Sequence, residues 1–92
     1  MTYIDVRWIH ENEFDPIRLV SELGSDSFET RKLEFFRNGS IGYAGEFGAS
    51  HGVELGTVPV PSLEEINRDA EFKGIEISNA DFEEMWSRAA VS

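Results

Sequence analysis

Apolar and polar positions alternate through most of the first half of the chain, and the alternation breaks only at clusters of turn-forming residues. Over Tyr3 to His10, Ile4, Val6 and Trp8 fall on one side and Tyr3, Asp5, Arg7 and Ile9 on the other. That period of two predicts a half-buried strand. The polar run from Glu11 to Asp15 ends at Pro16 and reads as a connection. Ile17 to Leu23 alternates again, with Ile17, Leu19 and Leu23 opposed to Arg18, Val20 and Glu22, until Gly24-Ser25-Asp26-Ser27 interrupts it.

Phe28 to Glu46 is the organising stretch, two strand-like runs around Asn38-Gly39. Asn-Gly favours a two-residue type I′ turn, which needs positive φ at both central residues. Such a turn sets Phe36 opposite Ile41, Glu34 opposite Tyr43 and Lys32 opposite Gly45. On the other face it sets Phe35 opposite Gly42, Leu33 opposite Ala44 and Arg31 opposite Glu46. Leu33 and Phe35 beside Gly42 and Ala44 would then form a trough for a helix, with Arg31 and Glu46 as an ion pair.

The pattern changes after Glu46. Phe47 to Gly52 is rich in small residues and reads as a surface loop. Val53 to Val58 predicts a short fifth strand, interrupted by Gly56 and stopped by Pro59-Val60-Pro61. Ser62-Leu63-Glu64-Glu65 has the form of a capping box and opens a short helix to about Arg68. Gly74 to Ile77 reads as a strand. Ser78 then caps a helix over Asn79 to Ala90, where Phe82, Met85, Trp86, Ala89 and Ala90 recur at helical spacing. The expected fold is α+β, one domain over 1–92: an antiparallel β-meander of four to five strands, a C-terminal amphipathic helix packed on one face and a short extra helix. Phe82 and Trp86 are expected on the sheet against Ile4, Val6, Trp8, Leu33 and Phe35.

The four stretches YIDVRWIH, TRKLEFFRNGSIGYA, VPVPSLEEIN and DFEEMW resemble, in that order and over nearly the whole chain, a family of small bacterial proteins catalogued only as a domain of unknown function. The resemblance implies a compact, stand-alone, single-domain protein. It carries no activity, substrate or catalytic residue.

Charge then narrows the function. Eighteen acids against eight Lys and Arg give a net charge of −10. The part from Glu46 onward carries −7 of it. A field of that sign repels nucleic acid and anionic membrane and favours a basic protein partner. Glu46, Phe47, Glu54, Glu64, Glu65, Glu83 and Glu84 are the candidate contact residues, with Phe47 as an aromatic anchor. The expected role is an inhibitor, immunity or antitoxin-type protein acting on a basic partner such as a nuclease, including the phage-type inhibitors that mimic nucleic acid. The alternative is a structural or self-associating subunit, a homodimer among them, using a sheet edge or the face bearing Phe28, Phe36, Ile41 and Tyr43.

Catalysis has thin support. A hydrolase would have to use His10, beside Glu11, Glu13 and Asp15, or His51 in the Gly-rich loop. Neither has a second His at metal-ligand spacing or a nucleophile motif around it, so no catalytic residue, metal or cofactor is expected. The chain has no Cys, which removes disulfides and thiolate chemistry. MTYIDVRWIH lacks the basic start and apolar run of a signal peptide, and no stretch is long and apolar enough to span a bilayer. The expected setting is the cytoplasm.

Overall fold

The computed structural model describes residues 1–50 and 52–90. Six strands and two helices follow in the order β1 (Thr2–Trp8), β2 (Arg18–Leu23), β3 (Glu29–Phe35), β4 (Ile41–Gly45), β5 (Gly48–Ala49), α1 (Leu63–Arg68), β6 (Phe72–Ile77) and α2 (Asn79–Ala90). The strands form one open antiparallel sheet in the order β5-β4-β3-β2-β1-β6. The first five run as a meander. The chain then crosses one face of the sheet, forms α1, and returns β6 to the free side of β1.

Two cores result, one on each face. On the first, Tyr3, Val20, Leu33, Phe82 and Ala89 are buried, with Phe35, Tyr43, Ile77, Met85 and Trp86 packed around them. This is the face that α2 covers. Its apolar stripe was set by the spacing of Phe82, Met85, Trp86 and Ala89, and Phe82 is fully buried. Ser78 caps the helix by accepting the Asp81 N–H at 3.1 Å. On the second face, Ile4, Val6 and Leu23 are buried under Val60, Leu63, Ile66 and Phe72. Here Ser62 caps α1, accepting the Glu65 N–H at 3.2 Å. The expected partners of Phe82 and Trp86 are thus corrected. Leu33 and Phe35 lie on their face, whereas Ile4, Val6 and Trp8 point to the other side because alternate residues of β1 face opposite ways. Trp8 instead stacks on Phe72, with ring centroids 5.9 Å apart.

The β3–β4 hairpin turns at Asn38-Gly39, but with a three-residue loop. Phe36 N–H bonds the Ser40 carbonyl at 2.9 Å, and Gly39 N–H bonds the Phe36 carbonyl at 3.0 Å. Gly39 has φ of 92°, and Asn38 does not share that conformation. Its side chain accepts bonds from the Ser40 N–H (2.9 Å) and hydroxyl (2.7 Å), which holds it in an ordinary turn conformation. The result is a type I turn followed by a glycine bulge. The register moves by one residue. Ile41 faces Phe35, Gly42 faces Glu34, Tyr43 faces Leu33 and Ala44 faces Lys32. Tyr43 therefore joins the α2 core. Gly42 and Ala44 fall on the opposite face, where Val53 lies so close that a Cβ on Gly42 would sit 2.5 Å from its Cγ2. Phe36 and Tyr43 consequently do not share a face.

Two further expectations change. Val53 to Val58 is not a strand, since Val53 is used as a buried plug over Gly42. The fifth strand is Gly48–Ala49, inside the stretch read as a loop. The outer side of β6 is closed by α1: Asn67 accepts the Gly74 N–H at 2.6 Å through Oδ1 and donates Nδ2 to the Gly74 carbonyl at 3.0 Å.

Candidate partner-binding cleft

Arg31 on β3 stands directly across from Glu22 on β2, under α2. Glu22 is buried, and Arg31 binds it through two parallel bonds, Nε to Oε1 at 3.0 Å and Nη2 to Oε2 at 2.6 Å. The same guanidinium reaches Glu83 on α2 through Nη1 at 2.9 Å and Nη2 at 2.7 Å. Its carbon lies 4.8 Å from the Phe82 ring centre and 5.1 Å from that of Trp86. Thr30 donates its hydroxyl to Glu22 at 2.7 Å. One cation thus ties the sheet to the helix between two carboxylates and two aromatic faces. Arg31 holds the Glu22 carboxyl down to about 2, against the cost of burying it, with Thr30 and Tyr3 adding to the effect. Glu83 is lowered for the same first reason, its bonds to Arg31. Arg31 itself is pushed up by Glu22 and then Glu83. The expected pair of Arg31 with Glu46 does not form.

Beside this network a cleft of about 640 Å³ opens between the β4–β5 turn and the C-terminal end of α2. Arg31, Tyr43 and Trp86 form its inner wall, and Glu46 and Phe47 its rim. Gly45 leaves room for the Trp86 ring: a Cβ there would meet it at 3.1 Å, and the ring would have to shift by a few tenths of an ångström. Tyr43 and Trp86 meet edge to face, 5.6 Å between centroids. Phe47, at the tip of the turn, is 97% exposed. The ring is thus held in water at the mouth of the cleft.

The candidate contact residues divide between the two faces. Glu46 and Phe47 line this cleft, while Glu83 holds the Arg31 of its inner wall. Glu84 lies on the exposed side of α2, paired with Arg88 at 2.7 Å. Glu64 and Glu65 belong to α1, on the far face of the sheet, Glu64 paired with Arg68 at 2.8 Å. Glu54 is exposed in the segment after Val53. Sequence reasoning missed Glu22 and the use made of Arg31. No signal in the sequence pairs them, because β2 and β3 meet across an irregularity between Glu22 and Leu23.

His10 is occupied within the β1–β2 connection. Its Nδ1 accepts the Asn12 N–H at 3.0 Å and its Nε2 donates to the Pro16 carbonyl at 2.8 Å, while the ring meets Trp8 edge-on at 4.5 Å. His51 lies outside the described residues. Among the described residues no group of three His, Asp or Glu side chains could hold a metal ion. No helix among them is long and apolar enough to cross a membrane.

These features define a small α+β protein: an open six-stranded antiparallel sheet, capped on one face by a helix that an arginine ties down. The chain belongs to the family described as Domain of unknown function (DUF6881), whose model matches residues 2–91. No curated protein and no solved structure matches it.

Proposed function

We propose that this protein is a non-catalytic cytoplasmic binding module that docks on a basic protein partner through the cleft between the β4–β5 turn and α2. An inhibitor or immunity-type protein is the role that best suits it, with a nuclease as the natural kind of partner. The observation that carries the reading is Phe47, 97% exposed beside Glu46 at the rim of a cleft walled by Trp86 and Tyr43. Aromatic anchors of this kind supply most of an interface's binding energy, while flanking charge speeds the encounter and selects the partner. The net charge of −10 supports a basic surface on the other side.

The test is capture of the partner from the native host at low salt, then association kinetics across ionic strength. Phe47→Ala should weaken binding by about tenfold or more. Glu46→Lys should slow association at low salt, with the difference fading as the Debye length falls from about 10 Å at 0.1 M to about 3 Å at 1 M. The pair Glu64→Lys and Glu65→Lys, on the far face, should change affinity much less. A partner that ignores Phe47 and Glu46 but not the α1 pair would overturn the placement. A homodimer lost in Phe47→Ala would replace the foreign partner with a second copy.

A further inference from the structure

The far part of the α2 face carries a row of cations that the cleft does not use. Strand pairing sets Lys73 opposite Arg7, Arg7 opposite Arg18, Arg18 opposite Phe35 and Phe35 opposite Ile41. Directly opposed residues share a face, so these five form one line across β6, β1, β2, β3 and β4. Three of the eight Lys and Arg in a chain of net charge −10 therefore stand side by side. Like charges set directly opposite each other destabilise a sheet.

Only one of the three is neutralised. Asp5 takes Arg18 in a two-pronged pair, 2.9 Å to Nε and 2.5 Å to Nη2, with the guanidinium 4.7 Å over the Phe35 ring. Arg7 and Lys73 are exposed and have no acceptor partner among the described residues. A shallow basin of about 420 Å³ opens on Asp5, Arg7, Arg18, Lys73 and Ile75, with Ile75 61% exposed at its side. Repulsion maintained in a row, next to an uncovered isoleucine, is what an anion with an apolar body would relieve.

We propose that this basin binds a small phosphate monoester. The phosphoryl group lies between Arg7 and Lys73, and the organic part rests on Ile75. A monoester carries a charge of about −1.5 to −2 at neutral pH, which matches the two unneutralised cations. The arginine fork suits two phosphoryl oxygens, and the lysine adds a point charge. A carboxylate balances only one of the two. A nucleic-acid strand extends beyond the row into the field of an acidic protein. The basin is independent of the partner-binding cleft, which opens at the opposite ends of β3 and β4.

The experiment is an amide chemical-shift titration of the whole chain with phenyl phosphate at neutral pH, with benzoate and a short single-stranded RNA in parallel. Saturable shifts are expected at residues 5–7, 18 and 73–75, with benzoate clearly weaker. Arg7→Gln and Lys73→Gln should each weaken phenyl phosphate about tenfold. Both unliganded variants should melt no lower than the parent chain, because each removes a like-charge contact. No saturable shift, shifts elsewhere, or affinity unchanged in the double variant would overturn the proposal. Equal binding of benzoate would replace the phosphate with any anion, and tighter binding of RNA would replace the small ligand with a polyanion.

Discussion

Glu22→Gln keeps the shape of a buried side chain and removes its charge. Arg31 then faces an amide in place of a carboxylate, with one acceptor oxygen left and an NH₂ group turned toward its own donors. The native carboxyl is held down from 4.5 to about 2 by that arginine. The unfolded chain takes up this proton near the ordinary value, so between the two values it binds more protons than the folded chain and stability rises with pH. The full displacement is worth roughly 3 kcal/mol at neutral pH, because one unit corresponds to about 1.4 kcal/mol. It is present above the ordinary carboxylate value and lost as pH falls toward the folded one, with about 2 kcal/mol gone by pH 3. Urea unfolding of both proteins from neutral pH down to about pH 3 reads it directly. The variant should be less stable by about 3 kcal/mol at neutral pH, and the gap should close by about 2 kcal/mol at the acid end. A gap that stays constant with pH, or that never opens, refutes the placement of Glu22 as a buried ionised partner of Arg31.

Trp86→Ala removes a ring that stacks on Phe82, meets Tyr43 edge-on and backs Arg31; because the ring is only partly buried, the loss should be about 3 kcal/mol, read as a lower thermal midpoint. Gly42→Ala drives a methyl against Val53 and should cost about 1–3 kcal/mol in chemical denaturation, whereas a neutral result would mean that the segment around Val53 is not seated on the sheet.

Much of the architecture could be read from the chain. The α2 helix follows from five apolar residues at helical spacing, and β1 and β2 from an alternation that Val20 and Ser21 interrupt. What failed did so for local reasons. The Asn38 carboxamide binds Ser40, a choice between two turn types that composition does not settle, and it moved every partner along β4 by one position. Gly48–Ala49 pairs through backbone alone and leaves no side-chain pattern. Val53 to Val58 has strand-like residues, but only Val53 of them is buried and Val58 is 68% exposed, so the segment is held by one plug and not by a ladder. In the cleft, Glu46 and Phe47 were visible as charge and an aromatic. The Glu22–Arg31 pair was not, because it depends on how β2 and β3 meet across an irregularity between Glu22 and Leu23.

The Asn67 carboxamide has a consequence for how this sheet ends. At Gly74 it presents one acceptor and one donor, the pair that a neighbouring peptide group would present. For that residue β6 already has a next strand, one amide long and fixed to α1. An incoming chain would have to displace both bonds before it could add itself along the edge, and α1 would have to let go of the strand. The other edge, β5, offers only Gly48–Ala49, too short to template a long partner. Lengthwise growth is thus blocked at Gly74 on one margin and limited by a two-residue strand on the other, a useful property for a protein rich in strands and free of disulfides. A strand added along the full length of β6 would first have to release Asn67.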